Sequence, residues 1–261
     1  MLVKIELENL RVVVTAGAQG IGRAIVEAFL ESGAQVHVCD IDQTALSQLG
    51  EDLPMVGRSL ADVSNPDQVD TFIDDAISEM GGVDVLINNA GISGPAGAVE
   101  TLETEAWRKT MEVNVNGQFY CARRVIPQMK AQGSGAIVNI ASTAGLFGYA
   151  FRSPYATSKW AVIGFTKTLA MELGEHGIRV NAVCPGSINN ARMDGVIAME
   201  ARASGRDAEK IREQYTNQVS MRTFIDPEEI AAMVTFICSP QGSKISGQAL
   251  SVDGHTETLR T

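Results

Sequence analysis

The stretch RVVVTAGAQGIGRAIVEAFLESG, residues 11–33, decides the fold. It opens with a β-branched apolar run typical of a buried strand, and its second half has the apolar periodicity of an amphipathic helix. Gly17, Gly20 and Gly22 lie at the junction. Glycines at a strand-to-helix turn let the backbone approach a pyrophosphate, which the amides and dipole of the helix N-terminus then stabilise. The stretch therefore predicts a βα unit whose turn binds phosphate.

Strand-like runs alternate with helical periodicity along the whole chain. Because the runs are continuously apolar, we expect strands buried on both faces and helices above and below them. This pattern predicts an α/β protein with one domain over residues 1–261, a doubly wound (Rossmann) parallel sheet. The predicted strands are 11–15, 34–40, 83–89, 135–142, 178–185 and 248–253, and the predicted helices are 20–32, 67–80, 105–131, 155–174 and 227–238.

Composition narrows the class of partner. A net charge of −10 without clustered Lys or Arg argues against nucleic acid. Four scattered cysteines have neither zinc-site nor disulfide spacing, so we expect no metal and a cytoplasmic location. No apolar stretch approaches the roughly 18 residues of a membrane span, and the first residues lack the apolar core of a signal peptide. A small molecule is the expected ligand.

The second predicted strand ends in Asp40, about 20 residues beyond the glycine turn. A carboxylate there is placed to accept the ribose hydroxyls of NAD, and it would repel the additional phosphate of NADP. Ile41 follows, where an arginine would favour NADP. These residues predict NAD as the cofactor.

Tyr155 and Lys159 lie four residues apart in a predicted helix, so both side chains can reach one ligand. This spacing alone is a weak signal, and the neighbouring motifs give it meaning. The chain resembles the short-chain dehydrogenase/reductase family, of the NAD-preferring Tyr-x-x-x-Lys type. The resemblance rests on TAGAQGIG (15–22), Asp62-Val63, NNAG (88–91), Asn114 in MEVNVNG, Ser142 in IVNIAS, YATSK (155–159) and NAVCPG (181–186), in the family's order.

The resemblance implies an oxidoreductase that transfers a hydride between NAD(H) and a secondary alcohol or its ketone, such as a polyol, a sugar or a hydroxy acid. A reductase of 3-oxoacyl thioesters and a redox-silent nucleotide-binding regulator are the alternatives. A serine hydrolase is disfavoured because the chain has no G-x-S-x-G elbow. The complete set Asn114, Ser142, Tyr155 and Lys159 argues against the silent regulator, which has no chemical need for it.

Roles for the four residues follow from the resemblance. Tyr155 would transfer the hydroxyl proton, and Ser142 would hold the substrate oxygen. A free phenol titrates near 10, so its use as a base near pH 8 requires its pKa to fall by about 2, worth about 2.7 kcal/mol. Lys159 and the positive nicotinamide ring would favour the phenolate. Lys159 would also bind the nicotinamide ribose, and Asn114 would position a water that links Lys159 to solvent.

The resemblance also implies a set of cofactor contacts. Two positions depart from the family pattern. Ala16 stands where the family usually has glycine, with the glycine displaced to Gly17, so the pyrophosphate geometry and NAD affinity are expected to differ. Asn190 replaces a common threonine and can still bind the carboxamide. The implied contacts are Gly17, Gln19, Gly20, Ile21, Gly22, Asp40, Ile41, Asp62, Val63, Asn89, Gly91, Tyr155, Lys159, Pro185, Gly186, Ile188 and Asn190.

A long polar insertion, residues 186–226, predicts a substrate lid or loop at about 187–225. Two interpretations of its arginines stay open. Arg192, together with Arg152 near the catalytic tyrosine, would clamp an anionic substrate alongside Ser142 and Tyr155. The alternative is a solvated helix, because the segment mixes arginines with acidic residues. Relatives commonly form tetramers through helices equivalent to 105–131 and 155–174, so a homotetramer is expected by resemblance.

Overall fold

Seven parallel strands form one sheet in the part of the chain that the computed structural model describes, residues 5 and 7–258. Their bounds are β1 (Arg11–Thr15), β2 (Gln35–Asp40), β3 (Gly57–Leu60), β4 (Val85–Asn88), β5 (Gly135–Ile140), β6 (Ile178–Pro185) and β7 (Ala249–Val252). The order across the sheet is β3-β2-β1-β4-β5-β6-β7. The predicted doubly wound parallel sheet is thereby confirmed.

Helices cover both faces of this sheet. They are α1 (Gly20–Glu31), α2 (Gln43–Asp52), α3 (Pro66–Met80), α4 (Thr104–Met111), α5 (Gly117–Gln132), α6 (Ser153–Leu173), α7 (Ala191–Ser204), α8 (Ala208–Asn217) and α9 (Pro227–Cys238). Val12 and Val14 pack in the core formed with α1 and α9, whereas Val13 packs in the core formed with α3 and α5. Successive residues of a strand point to opposite faces, so both faces of β1 are buried.

Several elements differ from the sequence prediction, among them the helix α2, which was not predicted. Strand β3 was not predicted because GRSL has no β-branched residue, and it pairs only with β2 at the sheet edge with Arg58 and Leu60 exposed. The predicted helix 105–131 is α4 and α5 joined by a π-helical turn at Glu112–Asn116. Such π turns are rare and often occur at functional sites.

The polar insertion is largely helical, forming α7 and α8. Its low apolar content concealed the helices, because only the face toward the protein is apolar. The N-caps are polar side chains: Asn190 accepts from the Met193 N–H at 3.0 Å, and Asp207 accepts from Glu209 and Lys210. These two helices lie after β6, next to the carboxyl edge of the sheet.

Two further observations concern composition. All four cysteines are free and buried. Burial raises the pKa of the Cys184 thiol to about 11 and that of Cys121 to about 12, so both are protonated near neutral pH.

Over residues 5 and 7–258, no helix is both long and apolar enough to cross a membrane.

Candidate active site

The glycine turn joins β1 to α1, and its three glycines have different environments. A Cβ at Gly17 would meet Val38 Cγ1 at 2.6 Å, and a Cβ at Gly22 would overlap the Ala16 carbonyl. These two glycines therefore permit close packing between the helix, the turn and the sheet. Gly20 has φ +54, and a Cβ there would meet nothing within 4 Å. Among the three, Gly20 alone presents its backbone to the open space ahead of α1.

Ala16, and not Gly17, adopts the backbone conformation that favours glycine in this turn, and the expected effect on NAD affinity stays a prediction. Ala16 itself has φ +51, in the left-handed region that favours glycine, whereas Gly17 does not have a positive φ. An alanine in this conformation costs about 1–2 kcal/mol. Asn89 compensates, because its side chain donates to the carbonyls of Thr15 at 3.1 Å and Ala16 at 3.0 Å. The turn therefore keeps its backbone shape at a local energetic cost.

A cavity of about 580 Å³ runs along the carboxyl edge of the sheet and is called the site cavity below. Most of the predicted residues line it, although they come from distant parts of the sequence. Its lining residues are Ala16, Gln19, Gly20, Ile21, Asp40, Asn89, Gly91, Ser93, Ile140, Ala141, Ser142, Thr143, Ala144, Tyr149, Arg152, Tyr155, Lys159, Pro185, Gly186, Ser187, Ile188, Asn190, Met193, Val196 and Tyr215.

Some predicted residues are not on this wall: Gly17, Gly22, Ile41, Asp62, Val63 and Asn114. The side chain of Arg192 lies outside the described part of the chain, so its substrate contact stays a prediction. Sequence reasoning missed Ser93, Met193, Val196 and Tyr215 as wall residues. The last three belong to α7 and α8, and nothing in their sequence pattern shows which face of each helix meets the cavity.

Asp40 ends β2 at one end of the cavity. One of its carboxylate oxygens accepts from the Ala18 N–H at 3.2 Å, and the other accepts from the Asp42 N–H at 3.1 Å. The Gln19 side chain in turn donates to Asp42 at 3.1 Å. Two carboxylates are thus held beside the glycine turn, which gives this end of the site cavity a negative charge.

Asp62 and Val63 lie beside this end, since the Ala61 N–H donates to the Asp40 carbonyl at 3.0 Å. Burial alone would raise the pKa of Asp62, but hydrogen bonds from Ser64 and the charge of Lys109 lower it below its ordinary value. Val63 is buried against Gly117, where an added Cβ would meet it at 3.0 Å. Their contact with an adenine ring stays a prediction.

Ser142, Tyr155 and Lys159 meet at the centre of the site cavity. Ser142 follows β5, and its Oγ accepts from the Ala144 N–H at 3.1 Å. Tyr155 lies in the first turn of α6, and Lys159 follows one turn later, as the spacing predicted. The Lys159 ammonium is 3% exposed, donates to the Ile140 carbonyl at 2.8 Å and lies 5.7 Å from the centre of the Tyr155 ring.

Asn114 occupies the π-helical turn and is fully buried behind this group. Its side chain binds both the N–H and the carbonyl of Ile92, at 2.8 and 2.9 Å, and donates to Ser158 Oγ at 2.9 Å. Ser158 Oγ donates to the Tyr155 carbonyl at 2.7 Å. Asn114 therefore connects the loop after β4 to the turn of α6 that carries the tyrosine.

Gly91 separates Asn114 from Lys159. A Cβ at this glycine would lie 3.3 Å from Asn114 Oδ1 and 3.5 Å from Lys159 Nζ. The absence of a side chain at Gly91 thus leaves the two groups close together. A water link from Lys159 through Asn114 to solvent stays a prediction.

A buried polar ladder, which sequence reasoning missed, fixes β5 against α6. Asn88 donates to Asn139 at 2.9 Å, and Asn139 donates to Thr166 Oγ1 at 2.9 Å. Thr166 Oγ1 then donates to the Val162 carbonyl at 2.8 Å. Buried polar groups need such partners, so the ladder sets the relative position of the strand that leads to Ser142 and the helix that carries Tyr155. In the sequence, the signal for this ladder was the presence of Asn88 and Asn139 within otherwise apolar strands.

The arginines of the insertion mostly form local contacts, which favours the solvated interpretation for those described. Arg212 pairs with Asp194 at 2.7 Å and stacks on Phe224 at 4.7 Å. Arg206 pairs with Glu200 at 3.7 Å. Arg202 and Arg222 are also described, and both are exposed.

Within the described ranges, no group of three or more His, Cys, Asp or Glu side chains is arranged to hold a metal ion. The titratable groups on the cavity wall are instead Asp40, Tyr149, Arg152, Tyr155, Lys159 and Tyr215.

The chain matches known proteins over nearly its whole length. A family profile described as enoyl-(acyl carrier protein) reductase matches residues 15–255. The chain is 36% identical over 247 residues to 3beta-hydroxysteroid dehydrogenase 2 of Eggerthella lenta, which covers 93% of this chain and 92% of that protein. It is also 36% identical over 252 residues to 3-oxoacyl-(acyl-carrier-protein) reductase FabG of Thermotoga maritima, covering 95% and 98%.

Solved structures show the same architecture. A variant of actinorhodin polyketide ketoreductase with NADPH superposes with a TM-score of 0.90 at 32% identity, covering 96% of this chain and 98% of that one. NAD+-bound xylitol dehydrogenase gives a TM-score of 0.90 at 28% identity, covering 95% and 98%. The chain belongs to the short-chain dehydrogenase/reductase family. It is an oxidoreductase that acts on a secondary alcohol or the corresponding ketone.

Proposed function

We propose that this protein is an NAD-dependent dehydrogenase of a secondary alcohol, with Asn114, Ser142, Tyr155 and Lys159 as its catalytic set. The observation that carries the proposal is the shared cavity. Ser142, Tyr155 and Lys159 line the same wall as Asp40 and the glycine turn. Ligands of doubly wound sheets bind at this carboxyl edge.

The residues present fit a dinucleotide. Gly20 opens the backbone at the start of α1, where amides and the helix dipole suit a pyrophosphate. Asp40 offers carboxylate oxygens for ribose hydroxyls at one end of the cavity, and Lys159 lies at its centre. The remaining contacts we propose are Gly17, Gln19, Ile21 and Gly22 at the turn, Ile41, Asp62 and Val63 near the adenosine, Asn89 and Gly91 along the path, and Pro185, Gly186, Ile188 and Asn190 near the nicotinamide.

The preference for NAD over NADP rests on charge. The two structures compared above carry different cofactors, one NADPH and one NAD+, so similarity does not select between them. In this chain Asp40 and Asp42 place two carboxylates where a 2′-phosphate would bind, and Ile41 between them is 68% exposed and uncharged. A dianionic phosphate would be repelled there.

The chemistry follows from the positions of the side chains. A bound nicotinamide ring would accept the hydride from the carbinol carbon. Ser142 accepts from the Ala144 N–H, which leaves its hydroxyl proton to donate to the substrate oxygen. Tyr155 is placed to take the hydroxyl proton, and the buried Lys159 ammonium favours the phenolate. Asn114 positions the turn of α6 through Ser158.

Absorbance at 340 nm tests the proposal, with NAD or NADP offered against polyols, sugars, hydroxy acids and acyl thioesters. Tyr155→Phe should lower kcat by about 10²–10⁴-fold with the best substrate, because it removes the proton-transfer group. NADH binding and the unfolding temperature of this variant should stay unchanged. Full turnover by Tyr155→Phe would show that the mechanism is wrong.

A second candidate is a reductase of 3-oxoacyl thioesters. It is kept because the chain is equally identical to the steroid dehydrogenase and the oxoacyl reductase named above. Turnover of an acetoacetyl thioester at a kcat/KM above that of every hydroxy acid and polyol would favour it. The redox-silent regulator predicts no turnover with any of these compounds.

We also propose the wider setting of the enzyme. Residues 187–225 form the lid of the substrate end, because Met193, Val196 and Tyr215 line the cavity. The apolar side chains Phe119 on α5 and Trp160 and Met171 on α6 are 47%, 52% and 86% exposed, which supports a homotetramer packed through these helices. Light scattering should then give about four times the 27.8 kDa of one chain. A cytoplasmic location is consistent with the free cysteines.

A further inference from the structure

Arg152 occupies the wall of the site cavity immediately before α6. Its guanidinium carbon lies 5.5 Å from the centre of the Tyr155 ring and 5.6 Å from the centre of the Tyr149 ring. One terminal nitrogen, Nη2, donates to the Ser93 carbonyl at 3.0 Å. The guanidinium is therefore fixed against the tyrosine that carries out proton transfer.

The hydrogen-bonding capacity of Arg152 is largely unused. A guanidinium has five N–H donors, and its Nε is buried without a partner. Across the described residues no carboxylate forms an ion pair with Arg152, whereas Arg11 and Arg212 each form one and Arg23 forms two. A buried charged donor without an acceptor is unfavourable, so the unused donors indicate an acceptor supplied by a ligand.

We propose that Arg152 binds a single negative charge on the substrate, which makes the substrate a compact hydroxy acid or oxo acid with one anionic group. This inference rests on the proposed function and deepens it. The planar guanidinium matches a carboxylate or sulfonate, with two parallel hydrogen bonds available. Because Arg152 packs on the Tyr155 ring, the anionic group and the carbinol carbon are only a few bonds apart.

The charges on the cavity wall favour a monoanion. Arg152 and Lys159 are the two cationic side chains described there, and Lys159 already donates to the Ile140 carbonyl beside the catalytic tyrosine. A phosphate monoester carries a charge of about −1.5 to −2 at pH 7 and would need more than one cation. The overall charge of −10 makes such a ligand still less favourable.

The alternative is that Arg152 is a positioning residue that holds the Tyr155 ring, and matched substrates separate the two roles. The assay compares 2- and 3-hydroxy carboxylates, hydroxyalkyl sulfonates and hydroxyalkyl phosphates with neutral hydroxy amides of the same length. Arg152→Gln should lower kcat/KM by about 100-fold for carboxylates or sulfonates and by less than about threefold for amides. Arg152→Lys should recover part of the loss, because it keeps the charge without the planar fork.

Arg58→Gln is the matched control, since Arg58 is exposed on the edge strand β3 and does not line the site cavity. It should leave kcat/KM unchanged for every compound. Equal losses for amides and acids in Arg152→Gln would overturn the proposal and leave Arg152 a positioning residue. A wild-type preference for amides, or for phosphates over carboxylates and sulfonates, would also overturn it.

A binding assay without turnover separates this proposal from the proposed function. Butyrate, titrated into the NADH complex, should raise the unfolding temperature of the wild type but not of Arg152→Gln, and butyramide should raise neither. Equal stabilisation of both proteins by butyrate, or none of the wild type, would overturn the anion site even if dehydrogenase turnover is found. Selective stabilisation together with full turnover by Tyr155→Phe would support the anion site and overturn the catalytic assignment.

Discussion

The two ends of the site cavity are built differently. At the Asp40 end, the backbone of the glycine turn forms the wall, and buried glycines and backbone hydrogen bonds fix its shape. At the Arg152 end, side chains from α6, α7 and α8 form the wall, and the outer faces of α7 and α8 carry exposed mixed charges. The difference supports our proposal that the cofactor binds at the first end, where the backbone sets the shape, and the substrate at the second, where side chains set it.

The largest expected effect comes from Gly22→Ala at the backbone-built end. The new Cβ would overlap the Ala16 carbonyl and lie 2.7 Å from Asn89 Nδ2, which donates to that same carbonyl. We expect a loss of about 1–3 kcal/mol in the free energy of unfolding and about 100-fold weaker NADH binding. Urea unfolding and fluorescence titration with NADH measure the two quantities.

Gly195→Ala in α7 is the matched control at the substrate end. Its Cβ would meet nothing within 4 Å, and the residue is exposed and helical. An alanine there should stabilise the protein by about 0.4–1 kcal/mol, because it lowers the conformational entropy of the unfolded chain. Similar destabilisation by both alanines would remove the distinction between the two ends of the cavity.

Asp40→Asn removes the negative charge of the Asp40 side chain and leaves the backbone of the glycine turn unchanged. The amide loses the charge-assisted bonds to ribose hydroxyls and the repulsion of a 2′-phosphate, so NAD should bind about 10–100-fold more weakly. NADP affinity should fall less or rise. Dissociation constants for both cofactors give the ratio, and Glu51→Gln, an exposed carboxylate on α2, should change neither. An unchanged ratio in Asp40→Asn would contradict the assigned preference for NAD.

The smallest expected effect comes from Ala16→Gly. Glycine removes the strain of about 1–2 kcal/mol that the left-handed conformation imposes on Ala16. It also raises the conformational entropy of the unfolded chain, which costs about 0.4–1 kcal/mol. The net gain of roughly 0.5 kcal/mol should raise the unfolding temperature by about 1–2 °C. Scanning calorimetry detects this change, and a lower unfolding temperature would show that Ala16 is not strained in solution.

The sequence predicted most of the fold because buried parallel strands are apolar on both faces and stand out from helices. It failed at β3, where GRSL lies at an exposed sheet edge, and in the polar insertion, where α7 and α8 have little apolar signal. It also predicted that Ser142, Tyr155 and Lys159 lie at one edge of the sheet, where the carboxyl ends of parallel strands meet, and all three line the site cavity. The buried role of Asn114 is a tertiary property, since its partners Ile92 and Ser158 lie 22 and 44 residues away.

By itself, the sequence determined the class of enzyme, the glycine turn, the acidic residue after β2 and the tyrosine–lysine pair, because each is a local pattern with a local physical cause. Only the tertiary structure decided which arginine faces the cavity. Arg152 and Arg212 look alike in the sequence, yet Arg152 packs on Tyr155 with an unused donor and Arg212 pairs with Asp194 on the surface. Burial and partners decide what a charge can bind, and both are set by residues far apart in the chain.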